Sequence, residues 1–212
     1  VQEMVDFVRL SFDLAEKYRN PVMILTDGVI GQMMEKVELF DQMPRKTEFP
    51  DWATTGKPKD KERRYITSLH IQPEKMEEIN KHLQAKYKQI EKDEVRYEAF
   101  NLDDAEYVLT GYGLGARICR KAMDILREKG YKVGLVRPIT LFPFPKKVYE
   151  EVANRVKGIL DVEMNAGQMV EDVKLSVCGK TRVEYYGRMG GMIPSPEEIV
   201  ENFEKLFIKG EA

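Results

Sequence analysis

Strand-like and helix-like segments alternate without filler through the second half of this chain. The strand-like segments are short and apolar, whereas the helix-like segments carry their apolar residues on one stripe. In chain order they are Tyr107 to Thr110, Gly113 to Lys129, Lys132 to Val136, Pro145 to Val156, Ile159 to Met164, Gln168 to Val177 and Val183 to Tyr186. This alternation predicts a mainly parallel α/β sheet, with right-handed crossovers that place helices on both faces.

Local signals agree with that alternation at the helix ends. Gly130 and Gly179 follow helical stripes, where glycine readily takes the left-handed conformation that ends a helix. Ser195, Pro196 and Glu198 form a capping-box pattern at the start of a last helix. The segment boundaries are therefore specified locally as well as by hydrophobic periodicity.

The first 40 residues predict a helix followed by a buried strand. Val22 to Leu25 is continuously apolar after Pro21, as in a strand that is covered on both faces. The helical stripe consists of Met4, Val5, Val8, Phe12 and Ala15. Because Val1 already lies inside this amphipathic pattern, we expect the chain to be a piece of a longer protein.

Residues 41–104 have a different character and predict a connector. The segment begins with Pro44, Pro50 and Pro58 among many charges. A helix-like stretch from Met76 to Ile90 follows, and its high charge is typical of a solvated or domain-bridging helix. The resulting domain prediction is 1–40, the connector 41–104, and a second α/β domain at 105–212.

Composition excludes several function classes. With 34 basic and 36 acidic side chains the net charge is -2, which offers no basic excess for binding nucleic acid. No apolar run approaches the roughly 20 residues that span a bilayer, and no signal peptide is visible. We therefore expect no membrane partner and a cytoplasmic location. The two cysteines and two histidines form no metal motif, and we interpret Cys119 and Cys178 as buried thiols.

Two turns after strands are candidate ligand sites. Gly111 to Ala116 matches the pattern G-x-G-x-x-[G/A] between a strand and a helix, and Arg137 after the next strand suits a 2′-phosphate. One hypothesis is therefore an NADP-binding module. The alternative is that these glycines only permit a tight turn and close helix packing. Asp27 and Gly28 also follow a predicted strand, where open α/β sheets collect ligands.

Four segments together resemble a known family. They are VQEMVDFVRLSFDLAEKYRNPVMILTDGVIGQMMEKV at 1–37, TGYGLGARICRKAMDILREKGYKVGLVRPITLFPFP at 110–145, VEMNAGQMVEDVKLSV at 162–177 and YGRMGGMIPSPEEI at 186–199. The chain resembles the α-type subunit of 2-oxoacid:ferredoxin oxidoreductases, particularly the 2-oxoisovalerate and 2-oxoglutarate enzymes. The resemblance implies the C-terminal part of a pyrimidine-type thiamine-binding domain, followed by a transketolase C-terminal-like domain.

The resemblance also implies an activity and partners. The family decarboxylates a 2-oxoacid on thiamine diphosphate, transfers the acyl group to coenzyme A and passes electrons to ferredoxin. Thiamine diphosphate with Mg would be shared with a β-type subunit, and iron-sulfur clusters would lie on partner subunits, including γ- and δ-type ones. We favour 2-oxoisovalerate over 2-oxoglutarate as the substrate, and we expect the isolated chain to be inactive. A non-catalytic assembly subunit is a further alternative.

Site residues follow from the resemblance and from the turn positions. The family's catalytic glutamate precedes the segments found here, so we assign no catalytic residue and no metal ligand. We expect the rim of the thiamine site at Asp27, Gly28, Gly31 and Gln32. We expect a subunit interface at Arg137, Phe142, Asn165 and Gln168, with local hydrogen bonding as the alternative. An internal pair of Arg137 with Glu163 is a separate possibility.

Overall fold

The computed structural model describes residues 1–42, 47–57, 59–60 and 62–210. The helices are α1 (Gln2–Tyr18), α2 (Gly28–Gln32), α3 (Pro73–Asp93), α4 (Gly113–Glu128), α5 (Lys146–Ala153), α6 (Met169–Val177) and α7 (Pro196–Phe203), and a π-helical turn follows at Glu204–Ile208. The strands are β1 (Tyr97–Phe100), β2 (Tyr107–Thr110), β3 (Val133–Pro138), β4 (Gly158–Glu163) and β5 (Arg182–Gly187). Pro44 and Pro58, which mark the predicted connector, lie outside the described residues.

The five strands form one sheet in the order β1-β3-β2-β4-β5. Strands β2 to β5 are parallel, which confirms the predicted α/β architecture, and β1 is an antiparallel edge strand. Thr110 at the end of β2 lies beside Val136 on one side and Asp161 on the other. Although β1 falls within the predicted connector, it pairs with β3 and so belongs to the sheet.

A hydrophobic core lies on each face of the sheet, because side chains alternate along the strands. Val108 and Ile159 pack with α5 and α6 on one face. Leu109 and Leu160 pack with α4 and α7 on the other. Phe203 of α7 is fully buried there and meets the ring of Tyr107 edge to face at 5.2 Å. Both faces of the central strands are therefore covered, as parallel sheets require.

The helix-end signals are confirmed, with one exception concerning a cysteine. Gly130 has φ +93 after α4, and Ser195 with Glu198 forms the capping box of α7. After α6, Cys178 itself takes the left-handed conformation at φ +49, before Gly179.

Cys119 is buried as predicted, but Cys178 is exposed, so the buried-thiol prediction was wrong there. Cys178 is exposed because it lies in the turn that ends α6, and connecting segments generally lie at the protein surface.

The N-terminal segment has its predicted helix but lacks the predicted strand. Residues 22–25 are not part of any strand, and Met23 and Leu25 are 79% and 66% exposed. The prediction of a buried strand was wrong because an extended segment becomes a strand only beside a partner, and no described strand lies next to this one. Helix α3 is confirmed, and among its residues Ile90 is buried.

Glu94 joins this N-terminal segment to the sheet. Its carboxylate, which is 5% exposed as a residue, accepts from Lys17 Nζ at 2.7 Å and from the Tyr18 hydroxyl at 2.6 Å. Arg96, just before β1, lies 2.9 Å from the other oxygen. Burial acts to raise the pKa of Glu94, but these donors outweigh it and hold the pKa below its usual range. The end of α1 is thus fixed against the end of α3.

Replacing Glu94 by Gln tests this junction. Glu94→Gln removes the charge that three donors share, so we expect the free energy of unfolding to fall by about 1–3 kcal/mol at neutral pH. Because the pKa of Glu94 is lowered in the fold, the difference from wild type should shrink as pH falls below the ordinary value. Urea unfolding at several pH values measures both effects. Glu78→Gln, on an exposed pair with Lys75, is the matched control, and an equal loss in both variants would contradict the junction.

Candidate functional site

The crevice outside β2 and β4 is the natural ligand position of this fold. The chain crosses from β2 to β3 on one side and then returns to β4 on the other, so the strand order reverses between β2 and β4. Open α/β sheets bind ligands at such a point, beyond the carboxyl ends of the strands. The glycine-rich turn after β2 and residues 164–168 after β4 border this crevice.

The glycines of the first turn are explained by backbone packing. A Cβ on Gly111 would lie 2.9 Å from the carbonyl oxygen of Val162, and one on Gly115 would lie 3.1 Å from the same atom. Gly113 has φ +54, which residues with a side chain rarely adopt. Helix α4 therefore begins directly against β4. This geometry supports the tight-turn interpretation of the glycine motif.

A carboxylate of the chain lies at the N-terminus of α4. Asp27 Oδ2 accepts from the backbone N–H of Leu114 at 3.2 Å, and Oδ1 accepts from the N–H of Ile30 at 2.8 Å. A dinucleotide phosphate would use this same helix end. Arg137, which the NADP hypothesis needs, is bound to Glu3 and to Glu98, the latter at 2.8 Å. The geometry therefore disfavours a nucleotide-binding module.

A second carboxylate lies at the N-terminus of α6. Glu163, at the end of β4, is 1% exposed and accepts from the backbone N–H groups of Met169 and Val170, each at 3.0 Å, and of Gln168 at 3.1 Å. Asn165 Nδ2 donates to it at 2.9 Å. Burial acts to raise the pKa of Glu163, but the hydrogen bonds outweigh it and lower the pKa. Glu163 is therefore an ionised, fully hydrogen-bonded group.

Asp161 lies beside Glu163 on the same face of β4. It is fully buried, and neither carboxyl oxygen accepts a hydrogen bond from the residues that the structure describes. Burial, followed by the neighbouring Glu163 carboxylate, raises the pKa of Asp161 well above its usual range. A neutral Asp161 can donate its proton to Glu163. The two acids then form one buried pair with a single negative charge.

Hydroxyl groups complete this polar cluster. Thr110 Oγ1 donates to the carbonyl oxygen of Val136 at 2.9 Å and lies 2.6 Å from the Tyr149 hydroxyl. The Tyr112 hydroxyl accepts from Asn165 Nδ2 at 3.0 Å. Burial raises the pKa of both tyrosines, so they remain neutral. Of these hydroxyl groups, that of Tyr112 contacts the turn after β4, whereas Thr110 and Tyr149 connect β2, β3 and α5.

The predicted interface residues have different environments. The Asn165 side chain makes internal hydrogen bonds to Tyr112 and Glu163, whereas the Gln168 side chain is exposed. Phe142 is 64% exposed and meets the ring of Tyr87 edge to face at 6.2 Å. The possible pair of Arg137 with Glu163 was wrong, because Glu163 is enclosed by its own turn.

The predicted thiamine rim lies at α2. A Cβ on Gly28 or Gly31 would meet no described atom within 4 Å, and the Gln32 side chain is exposed. These residues fit an open rim that a flat group could approach. In the described part of the chain they do not enclose a pocket.

The described ranges also lack two other kinds of feature. Within them, no three His, Cys, Asp or Glu side chains are grouped to hold a metal ion. None of the helices in those ranges combines the length and apolarity needed to cross a membrane.

Asp161 and the acidic partners Glu3 and Glu35 were not identified as site residues from the sequence. One signal was present, since Asp161 and Glu163 alternate with Leu160 and Val162 in an otherwise apolar strand. Two acids on one face of a strand predicted to be buried indicate a paired or protonated cluster. For Glu3 and Glu35, no local pattern indicates a partner more than 80 residues away.

Two family models match the chain. Residues 1–99 match the thiamine diphosphate-binding model of pyruvate flavodoxin/ferredoxin oxidoreductases. Residues 105–199 match core domain II of pyruvate:ferredoxin oxidoreductase.

Curated relatives agree with these models. The chain is 40% identical over 206 residues to ketoisovalerate oxidoreductase subunit VorB of Methanothermobacter thermautotrophicus, which covers 97% of this chain and 58% of VorB. It is 33% identical over 222 residues to 2-oxoglutarate synthase subunit KorA of Methanocaldococcus jannaschii, covering 94% of this chain and 60% of KorA. The chain thus spans less than two thirds of the length of these relatives.

A solved structure shares the fold. It is the 2-oxoglutarate:ferredoxin oxidoreductase from Magnetococcus marinus with 2-oxoglutarate, coenzyme A and succinyl-CoA bound. The TM-score is 0.54 at 21% identity, and the match covers 64% of this chain and 24% of that one.

Replacing Asp161 by Asn tests the buried acid pair. Asn has the same shape, stays neutral and donates to Glu163 at every pH. Because the pKa of Asp161 is raised in the fold, wild type should lose stability relative to Asp161→Asn as pH rises from about 4 towards that raised pKa, by about 1.4 kcal/mol per pH unit. Denaturant unfolding between about pH 4 and pH 9 measures the difference.

The comparison variant is Asp161→Ala, which leaves a cavity and removes the donor to Glu163. It should be less stable than Asp161→Asn at each pH. A difference between wild type and Asp161→Asn that stays constant over this range would show that Asp161 is not protonated in the fold.

Proposed function

Since the chain belongs to the α-type subunits of 2-oxoacid:ferredoxin oxidoreductases, we propose that it works in the oxidative decarboxylation of a 2-oxoacid. The product is an acyl-coenzyme A, and the electrons pass to ferredoxin. The observation that carries this proposal is the 40% identity with VorB along 97% of the chain. The two family models that match residues 1–99 and 105–199 support it.

The favoured substrate within this proposal is 2-oxoisovalerate, with 2-oxoglutarate next. Identity to the ketoisovalerate oxidoreductase subunit is 40%, compared with 33% for the 2-oxoglutarate synthase subunit. The two acids differ strongly in chemistry, since one ends in an apolar branch and the other in a second carboxylate. One pocket does not suit both, because an apolar wall leaves a carboxylate desolvated and unpaired.

The cofactors of the proposed reaction are divided among subunits. Thiamine diphosphate with Mg would lie between this subunit and a β-type partner, and α2 would form part of its rim. The open surface at Gly28 and Gly31 supports that position. Iron-sulfur clusters would lie on partner subunits, including γ- and δ-type ones. The two cysteines of this sequence are too few to ligate a cluster of the common four-cysteine kind.

We assign the second part of the chain a role in assembly. The proposed domains are 1–40, a connector at 41–104, whose strand β1 joins the sheet of the following domain, and 105–212. The loops after β3 and β4 carry the exposed Phe142 and Gln168 at the same edge of the sheet, which supports a partner surface there. Arg137 and Asn165 would hold the loops of that surface in place, because both make contacts within the chain. The cytoplasm is the proposed compartment.

Anaerobic purification from the source organism tests the proposed function. We expect the subunit to co-purify with partners that bring thiamine diphosphate and iron. In a dye-reduction assay with coenzyme A, kcat/KM for 2-oxoisovalerate should exceed that for 2-oxoglutarate by at least about tenfold. A preference for 2-oxoglutarate would reverse the substrate assignment. A subunit that purifies alone, without thiamine, iron or activity, would contradict the function itself.

A further inference from the structure

Asp27 connects two elements that are far apart in the sequence. One oxygen caps α2 through the Ile30 N–H at 2.8 Å, and the other accepts from the Leu114 N–H of α4 at 3.2 Å. Leu114 is 87 residues away along the chain. The carboxylate therefore links the α2 segment to the glycine-rich turn between β2 and α4.

A second acidic residue attaches the other end of the same segment. Glu35, three residues after α2, accepts from Arg117 Nη1 at 2.7 Å, in the first turns of α4. The Arg117 hydrogen bond lowers the pKa of Glu35. Residues 27–35 thus span the start of α4 with a carboxylate contact at each end.

Apolar packing contributes little to the position of α2. None of its five residues is fully buried, although Val29 and Ile30 are half-buried, and Gly28 and Gly31 face open space. A five-residue helix is also too short to hold itself in place through its own hydrogen bonds. Within the described part of the chain, the hydrogen bonds of Asp27 and Glu35 with α4 are therefore the directional contacts that orient this segment.

We propose that Asp27 is a positioning residue, whose carboxylate fixes residues 28–32 against the glycine-rich turn before α4. The N–H of Leu114, which a bound phosphate could otherwise contact, thereby donates to a carboxylate of the same chain. The consequence for the thiamine rim rests on the proposed function, whereas the bridge itself does not.

The two-sided use of the carboxylate explains why aspartate suits this position. Asparagine is an equally good helix cap, so its single oxygen can serve the Ile30 N–H. Its NH₂ group would then face the Leu114 N–H, donor against donor. Asp27→Asn should therefore keep the cap of α2 and break the bridge, whereas Asp27→Ala should lose both.

Amide hydrogen exchange in the assembled complex tests the bridge. We expect Asp27→Asn to speed exchange at the Leu114 N–H by about tenfold or more, with little change at Ile30. Asp27→Ala should speed exchange at both amides. Asp13→Ala, which removes an aspartate of α1 that lies near Trp52, is the matched control and should change neither. Unchanged protection of Leu114 in Asp27→Asn would overturn the bridge.

Cofactor affinity tests the positioning role separately from stability. In complexes depleted of thiamine diphosphate and titrated with it, Asp27→Asn should need about tenfold more cofactor for half-maximal binding, with the KM for the 2-oxoacid little changed. Faster exchange at Leu114 with unaltered cofactor binding would reduce Asp27 to a stability contact and overturn the positioning role. If the wild-type complex binds no thiamine, the proposed function fails, while exchange at Leu114 and Ile30 still decides the bridge.

Discussion

The chain's own carboxylates occupy the helix N-termini at the carboxyl edge of the parallel sheet. Glu163 takes up the first N–H groups of α6, and Asp27 takes up the Leu114 N–H of α4. In related α/β folds these helix ends bind phosphate groups. Here they hold turns and segments in place, so the edge becomes a junction between parts of the protein. The burial of Glu163 is tolerable because several donors surround its carboxylate, and burial raises the pKa of Asp161 beside it.

This constraint explains why a glycine motif need not bind a nucleotide. Gly111 and Gly115 are small because the Val162 carbonyl lies against them, and Gly113 needs a left-handed backbone. Each glycine has a reason within the fold. Arg137, the residue that would select a 2′-phosphate, is instead bound to Glu3 of α1 and Glu98 of β1. Arg137 and the N-terminus of α4, which the NADP hypothesis assigned to a nucleotide, therefore bind α1 and the α2 segment instead.

Much of the fold could be predicted from local patterns. The bounds of β2 match the predicted Tyr107 to Thr110, and the capping box at Ser195 marks the start of α7. Periodicity, turns and caps depend on neighbouring residues, so sequence reasoning finds them. The apolar run at Val22 was wrongly assigned because strand formation depends on a partner that periodicity does not reveal. The site was harder to predict, since Arg137 and Glu3 are 134 residues apart and the raised pKa of Asp161 depends first on its burial in the folded chain.

The most direct test of the occupied helix ends is a titration with NADPH, followed through the backbone amide NMR signals of Leu114 and Met169. These two N–H groups lie at the N-termini of α4 and α6 and already donate to Asp27 and Glu163. We predict that neither signal shifts up to millimolar NADPH at physiological ionic strength. A saturable shift at Leu114 with displacement of Asp27 would contradict the occupied helix end and restore the nucleotide-binding hypothesis.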